Sequence, residues 1–400
     1  MPSATELRAL IKAHLPDLIR IRHDLHQHPE LAYQEKRTSS AVAAELTRLN
    51  IAHKHGLAGG TGVLAYIPPT SKHDESKGSI ALRADMDALP IQENTGRAYS
   101  SKTAGIMHAC GHDGHTTNLL GVARVLSLLP NRPNGVTLVF QPAEEGGAGG
   151  KRMCEDGALS GAVLGPKVRE IFGLHGWPQY DVGVVGSKPG PLLAATDNMV
   201  VTIRGTQSHA AYPQYSADPI VAASQIITAL QTIASRNIAP QDSIVVTIAT
   251  ISGGTARNII PGHITFGGTM RTLTPETRVL GKRRFYEITE GIAKSMGCRA
   301  EIAWEEGYPV TFNAPESTKK FFRVAESTFD ASRVLHVPYP SLGGEDFSYY
   351  GHHVPACFFI LGVRPAGREK YPSLHQPEYD FNDDALETGI EMMCRLALEV

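Results

Sequence analysis

The chain has 400 residues, of which 42% are hydrophobic and 20% charged, and its formal net charge is −2. This is the composition of an ordinary globular protein, and the near balance of charge excludes a strongly basic nucleic-acid-binding or membrane-surface protein. A chain of this length exceeds the usual size of a single core and predicts two domains. The sequence has no apolar run long enough to span a membrane, and its five scattered cysteines favour a reducing compartment, so we expect a cytoplasmic protein.

The first half of the chain alternates helices with strands. Amphipathic stretches predict two helices within 16–49, broken at His28-Pro29, and apolar runs predict strands at 62–67 and 80–84 with an exposed turn at 70–78. A helix at 115–129, a strand at 136–140, a helix at 151–160 and a strand at 170–174 follow. The alternation indicates an α/β domain with a mixed, largely parallel sheet flanked by helices.

After Gly183 the pattern changes. A strand at 197–204, a helix at 217–235, strands at 243–251 and 264–271, a helix at 275–296 and a strand at 299–304 give the order β-α-β-β-α-β of a compact inserted α+β domain. A helix at 316–330, a strand at 356–361 and a final helix from about 384 return to the first domain. We therefore predict a catalytic domain formed by 1–186 and 305–400, with residues 187–304 as the insert.

Reactive side chains recur directly after the predicted strands of the first domain. They are Asp85, Asp87, Glu144, Glu145 and His175. In open α/β sheets ligands bind at the edge where the strands end, so this placement predicts a site there. The densest cluster is 107–116, in which three histidines, an aspartate and a cysteine fall close together and a single glycine separates Cys110 from His112.

The residue types indicate a site for two divalent metal ions. The candidate ligands are Cys110, His112, Glu145, His175 and His375. Thiolate, imidazole and carboxylate suit Mn, Co, Zn or Ni, and Cys110 could bridge two neighbouring ions. Glu144 points away from its neighbour Glu145 if the segment is extended, and it could then act as the general base for a metal-activated water.

Other interpretations of these residues stay open. A Glu-Glu pair is often a solvated turn, and Asp85 and Asp87 could either orient a ligand or cap the backbone. Asp113 and His115 could orient the 107–116 loop, whereas His23, His26 and His28 are interpreted as a solvated helix end. A cysteine hydrolase built on Cys110 would leave the Glu-Glu pair and His375 unexplained, and a binding protein without catalysis would need a broken ligand set, which the sequence lacks.

Ordered motifs along nearly the whole chain carry a family resemblance. The strongest are Met107-His-Ala-Cys-Gly-His-Asp-Gly-His115 and Gln141-Pro-Ala-Glu-Glu-Gly146, supported by 22–31, 83–90, 172–178, 208–210, 257–261 and 343–347. The chain resembles the di-metal metallopeptidase family that includes the aminoacylases and glutamate carboxypeptidases. It is most similar to the branch of hippurate hydrolases, N-acyl-amino-acid amidohydrolases and auxin-conjugate hydrolases.

The resemblance implies a di-metal catalytic domain with an inserted dimerisation or lid domain. Carried over by position, it implies the same five ligands, with Glu144 as general base. It also implies that His209 reaches the active site of a partner subunit in a homodimer or homotetramer, and that Asn258 and Arg271 hold the substrate carboxylate.

The function predicted from the sequence is hydrolysis of the amide bond of N-acyl amino acids, such as N-acetyl or N-benzoyl derivatives, by a metal-activated water. A dipeptidase or carboxypeptidase with the same mechanism is the alternative. The expected partner is a small N-acyl amino acid or short peptide with a free carboxylate, with no nucleic acid and no membrane.

Overall fold

The computed structural model describes residues 4–70 and 77–399. In chain order the helices are α1 (Ala4–Gln27), α2 (Lys36–Arg48), α3 (His112–Leu128), α4 (Gly149–Glu155), α5 (Pro219–Leu230), α6 (Pro275–Ser295), α7 (Pro315–Thr328) and α8 (Ala385–Leu398). None of these helices combines the length and apolar content that crossing a bilayer requires. The turn predicted at 70–78 falls mostly on residues 71–76, which lie outside the described residues.

The strands fall into a main sheet, a second sheet and short ribbons. In chain order they are β1 (Ala52–Leu57), β2 (Gly62–Ile67), β3 (Ser79–Asp85), β4 (Val136–Gln141), β5 (Val168–Asp181), β6 (Val185–Ser187), β7 (Gly190–Leu193), β8 (Ala195–Arg204), β9 (Ser208–His209), β10 (Ile244–Gly253), β11 (Ile259–Ile260), β12 (His263–Thr272), β13 (Arg299–Glu306), β14 (Thr311–Asn313), β15 (Val334–His336) and β16 (Ala356–Arg364). The sequence predicts nine of these strands, namely β2, β3, β4, β5, β8, β10, β12, β13 and β16, whereas it gives no signal for β1, β6, β7, β9, β11, β14 and β15.

The chain forms two compact units. Unit 1 comprises Met1–Leu192, Phe312–Tyr339 and Asp346–Val400, and unit 2 comprises Leu193–Thr311 and Pro340–Glu345. The insert predicted at 187–304 falls largely within unit 2.

The main sheet of unit 1 has the order β1-β2-β4-β3-β5-β16-β6-β15. Its four central strands are parallel, since β3 pairs in parallel with β4 and β5, and β16 pairs in parallel with β5. The outer pairs β1–β2, β2–β4 and β16–β6 are antiparallel. The expected mixed, largely parallel sheet is confirmed, and its central strands bring their carboxyl ends to one edge.

One strand end differs from the expectation. The sequence predicts that a strand stops at residue 174, but β5 runs on to Asp181 and pairs His175 with Ile360 of β16. His175 therefore lies within a strand, where backbone pairing on the sheet fixes its position better than a loop would.

Helix α3 lies at the centre of the unit 1 core and packs against α1, α8 and the sheet. It is buried from its first residue to Leu126. A Cβ at Gly121 would lie 2.4 Å from Ile390 Cδ1 and 3.1 Å from Leu18 Cδ1, so the three helices approach each other closely at this glycine. The polar start of α3 is thereby held in the interior of the unit.

Unit 2 is a four-stranded antiparallel sheet, β10-β12-β8-β13, with α5 and α6 packed on it. The element order is the βαββαβ that the sequence predicts, with the small ribbon β9–β11 added. Both helices begin at a capping side chain followed by proline: Asp218 accepts from two backbone N–H groups and Thr274 from one. Val201, Phe266 and Phe285 are fully buried in its core.

Candidate metal centre

A tight turn at the start of α3 presents Cys110 and His112 together. Gly111 between them has φ 87°, a left-handed conformation that favours glycine. A Cβ at this position would also lie 2.9 Å from the Tyr379 hydroxyl. His112 is the first residue of α3 and is fully buried, whereas Cys110 keeps 6% of its surface exposed.

The structure brings the five candidate ligands of unit 1 into one cluster. Cys110 Sγ lies 3.3 Å from His175 Nε2, and His375 Nε2 lies 3.3 Å from a Glu145 oxygen. The possible ligand atoms of Cys110, His112 and His175 lie within 4.8 Å of one another, and so do those of Cys110, Glu145 and His375. Cys110 belongs to both groups, which is the position that a bridging thiolate would take.

The ring orientations leave one nitrogen of each inner histidine directed into the cluster. His112 Nδ1 donates to the Asp87 carbonyl at 2.9 Å, and His175 Nδ1 donates to the Gly176 carbonyl at 2.8 Å. Since a carbonyl oxygen only accepts, the proton of each ring sits on Nδ1. His112 Nε2 is buried without a hydrogen-bond partner. A buried acceptor left in this way fits a metal ligand, and a backbone partner on the other nitrogen is the usual support for one.

His375 reaches the cluster from a loop rather than from the sheet. Its backbone φ is 64°, and its N–H donates to the Ala109 carbonyl at 2.9 Å, next to Cys110. The backbone is therefore tied to the turn that carries the thiol, while half of the His375 side chain stays exposed.

Buried carboxylates hold the turn that carries Glu144 and Glu145. The two oxygens of Asp87 accept from the Glu144 N–H at 3.0 Å and the Glu145 N–H at 2.9 Å. A Glu35 oxygen accepts from the N–H of Ala143, whose φ of 55° is unusual for a residue with a side chain. Three successive N–H groups are thus bound, which fixes the direction of both glutamates.

The electrostatics of the cluster fit a cation. Burial alone would lower the pKa of His112, but Asp85 and Asp87 outweigh it and raise the pKa to about 10. Burial, with Glu145 and Glu144 adding to it, raises the pKa of the Cys110 thiol well above its usual range. A divalent cation would oppose both shifts, because it favours neutral imidazole and thiolate.

The other buried aspartates of the loop and strand ends, Asp85 and Asp113, contact histidines outside the candidate ligand set. Asp85 contacts Arg83 Nη1 and His115 Nδ1, each at 2.7 Å. Asp113 accepts from Arg22 Nη1 at 3.0 Å and lies 2.9 Å from His26 Nδ1. Asp87 is the acid that reaches the candidate ligands most directly, through His112 and the backbone of the glutamate turn.

The interpretation of His26 as part of a solvated helix end is wrong. His26 is fully buried, between Asp113 and Glu93. Burial opposes its protonation, but Asp113 outweighs that and raises the pKa of His26 to about 9. The sequence carries only part of this signal: His26 lies eight residues after the apolar Leu18, on the same face of α1, but the residue between them at helical spacing is the charged Arg22. Its neighbours His23 and His28 are partly exposed.

The three candidate residues of unit 2 lie at two different places. His209 pairs with Ile259 on the β9–β11 ribbon, and the neighbouring Asn258 carbonyl accepts from the backbone next to His209. The ribbon continues the end of β12 where His263 pairs with Arg204. Arg271 lies near the other end of β12, eight residues further on, or roughly 27 Å along an extended strand. Unit 2 therefore groups His209 with Asn258 and separates both from Arg271.

Several supporting residues gave no signal in the sequence. Glu35, Arg22 and Arg83 are fully buried, and each has partners far away along the chain: Ala143 for Glu35, Asp113 for Arg22, and Gln141 and Asp346 for Arg83. Their contacts join helix α1, the start of α2 and strand β3 to the loops of the candidate site. No local spacing marks such residues, so only the fold identifies them.

The fold and the site together define an α/β protein with a candidate dinuclear metal centre at the carboxyl edge of a largely parallel sheet. Comparison with known proteins gives the family. Residues 81–399 match the model of peptidase family M20/M25/M40, and the chain belongs to that family.

Similar proteins span nearly the whole chain. The chain is 42% identical over 371 residues to an N-acetyl-L-cysteine deacetylase of Bacillus subtilis, covering 92% of this chain and 84% of that protein. It is 39% identical over 391 residues to an IAA-amino acid hydrolase of Arabidopsis thaliana, covering 96% of this chain and 84% of that protein. Among solved structures, a dinuclear metal-binding peptidase of Bacillus subtilis has 34% identity and a TM-score of 0.82, covering 97% of this chain and 98% of that one. The resemblance inferred from the motifs is confirmed.

Proposed function

We propose that this protein is a metal-dependent amidohydrolase that cleaves the amide bond of N-acyl amino acids. The observation that carries the proposal is the convergence of five ligand-type side chains on two groups that share Cys110. Two similar proteins are named as a deacetylase of an N-acetyl amino acid and as a hydrolase of an amino acid conjugate, which supports this substrate class.

Cys110, His112 and His175 would hold one ion, and Cys110, Glu145 and His375 the other. Two adjacent divalent ions supply polarisation of the amide carbonyl and a more acidic water. Glu144 lies beside this set, with an oxygen within 4.8 Å of ligand atoms of His112 and Glu145, and it is 6% exposed. It takes a proton from the attacking water and delivers it to the leaving amine nitrogen, which is the role of a general base that then acts as an acid.

The layout of unit 2 supports a site completed by two subunits. His209 and Asn258 share one end of the β8–β12 ladder, and Arg271 lies near the other. An amino acid is much shorter than the strand length between them, so one copy of unit 2 cannot place Asn258 and Arg271 on the same carboxylate. We therefore propose a homodimer in which one subunit supplies Arg271 to a given site and the partner supplies His209 and Asn258.

Mixing two inactive variants tests the shared site. Glu144→Gln chains and His209→Ala chains are combined under conditions of subunit exchange. Mixed dimers should contain one site with both groups intact, so activity should recover to a fraction of wild type. Absence of recovery after exchange has been demonstrated by mass spectrometry would contradict the two-subunit site.

A cysteine hydrolase is the second candidate, because Cys110 Sγ lies 3.3 Å from His175 Nε2. The raised pKa of the Cys110 thiol argues against it, since a nucleophilic cysteine needs a lowered pKa. This candidate also assigns no role to Glu144, Glu145 and His375.

Removal and return of metal separates the two candidates. After dialysis against a chelator, hydrolysis of a panel of N-acetyl and N-benzoyl amino acids and dipeptides should stop, and Mn²⁺, Co²⁺, Zn²⁺ or Ni²⁺ should restore it. The panel also decides between N-acyl amino acids and the dipeptidase or carboxypeptidase alternative. Full activity in chelator, lost in Cys110→Ser but kept in the control variant Cys154→Ser, would establish the cysteine hydrolase instead.

A further inference from the structure

The third histidine of the 107–116 loop, His115, has both ring nitrogens occupied. It is fully buried on α3, one turn after His112. Its Nδ1 lies 2.7 Å from an Asp85 oxygen, and its Nε2 accepts from the Gly176 N–H at 2.8 Å. A backbone N–H can only donate, so Nε2 carries no proton and the ring proton sits on Nδ1, where it donates to Asp85. His115 is therefore locked in one neutral tautomer and is not available as a metal ligand.

The acceptor of that proton is itself fixed. The other oxygen of Asp85 accepts from Arg83 Nη1 at 2.7 Å, and the Asp85 carbonyl accepts from the Thr116 hydroxyl at 2.7 Å. Arg83 is fully buried and also donates to Asp346 at 2.9 Å. A ring that donates to so constrained a carboxylate has one orientation, and its Nε2 points to one place.

That place is the backbone next to His175. Gly176 donates its N–H to His115 and accepts with its carbonyl from His175 Nδ1 at 2.8 Å. The other ring nitrogen, His175 Nε2, therefore faces Cys110 and lies 3.3 Å from its Sγ. The contact is close-packed, because a Cβ at Gly176 would lie 3.3 Å from His115 Nε2 and 3.1 Å from Phe381.

We propose that His115 is a positioning residue that fixes the ring of His175 through the Gly176 backbone, and that it thereby sets the affinity for the ion held by Cys110, His112 and His175. The inference rests on the proposed metal centre. It assigns His115 a specific target, one of two ions, rather than general support of the loop. The acting contact is the one from Nε2 to Gly176, since that contact reaches the ligand.

Two substitutions test the two hydrogen bonds of His115 separately, because each keeps one bond and removes the other. In His115→Asn the amide falls near the place of Nδ1, so it can still donate to Asp85 but no longer reaches Gly176. In His115→Gln the amide oxygen falls near the place of Nε2 and can accept from Gly176. The matched control is Thr117→Val on the same helix, which removes a buried hydroxyl that donates to the Asp113 carbonyl.

The experiment measures Zn²⁺ affinity by competition with a chromogenic chelator, after metal removal and a check of folding by circular dichroism. Wild type and Thr117→Val should each bind two ions. The affinity for each ion should be the same in Thr117→Val as in wild type. His115→Asn should weaken one ion by roughly 10- to 100-fold and leave the other unchanged, as expected for loss of a group that supports a ligand. His115→Gln should recover part of the loss. In a His375→Ala background, which removes a ligand of the other ion, the remaining ion should be the one that His115→Asn weakens.

Gly176→Ala changes the other partner of the contact between the Gly176 N–H and His115 Nε2. This variant tests the inference if His115→Asn does not fold. Its Cβ should press on His115 Nε2 and weaken the same ion. Suppose that wild type binds two ions and that the folded variants either keep both affinities or lose affinity for both ions equally. Either result would overturn this inference and leave the proposed function standing. A wild-type chain that binds no ion would overturn the proposed function and this inference with it.

Discussion

Asp87 is the residue on which the glutamate turn most depends, and Asp87→Asn tests that dependence. Each carboxylate oxygen of Asp87 accepts a different backbone N–H, from Glu144 and from Glu145. An asparagine has one oxygen and one NH₂ group, and turning the amide over only exchanges which N–H is left facing a donor. One buried N–H therefore loses its acceptor in either orientation.

The magnitude follows from the cost of one lost charge-assisted hydrogen bond. Such a bond contributes roughly 1.5–3 kcal/mol, and leaving a buried N–H unpaired costs a similar amount. If opening of the turn controls exchange, a loss of about 1.5–3 kcal/mol raises the amide exchange rate roughly 10- to 150-fold.

Hydrogen exchange by mass spectrometry on a peptide spanning residues 143–146, with metal removed, measures this directly. The matched control is Asp156→Asn, because a single Asp156 oxygen accepts one N–H, from Ala58. The control amide can turn its oxygen to that N–H, so exchange at Ala58 should change little. Unchanged exchange across 143–146 in Asp87→Asn would refute the assigned role of Asp87.

Two further predictions concern the core of unit 1. Folding raises the pKa of His26 from 6.5 to about 9, so the stability it contributes is full below pH 6.5 and is lost as pH rises through 9. The stability lost between these pH values is on the order of 3 kcal/mol. As pH rises from 6.5 to 9, the denaturant midpoint of metal-free protein should therefore fall less in His26→Gln than in wild type. An equal fall of the midpoint in both proteins would contradict the assignment. Gly114→Ala would place a Cβ 2.4 Å from Phe381 Cγ and should destabilise the protein by about 1–3 kcal/mol. Gly291→Ala, on α6 with no atom within 4 Å, should instead be neutral or stabilising, and thermal melting that does not distinguish the two would contradict the packing argument.

The sequence is informative where side-chain chemistry follows a regular backbone pattern. Strands β3 and β4 end where the apolar runs end, so the sequence alone places Asp85 and Glu144 at one sheet edge. The βαββαβ order of unit 2 is equally visible, because its amphipathic helices and alternating strands are long.

The sequence is uninformative where the partner of a buried charge is distant along the chain. Arg22 pairs with Asp113 and Asp380, and Glu35 binds the N–H of Ala143. Each group looks like an ordinary surface residue in its own segment, so the pattern of that segment does not predict its burial. The side-chain tautomers depend on such distant contacts and became visible only with the fold.

The central claim is that Glu144 is the general base beside two ions, whereas its neighbour Glu145 is a ligand. Comparing Glu144→Gln with Glu145→Gln tests this most directly, with metal content measured by mass spectrometry and turnover measured on an N-acyl amino acid. Glu144→Gln should keep two ions per chain and lower kcat by roughly 10²–10⁴-fold, while Glu145→Gln should lose an ion. Wild-type kcat in Glu144→Gln, or a full complement of ions in Glu145→Gln, would contradict the account.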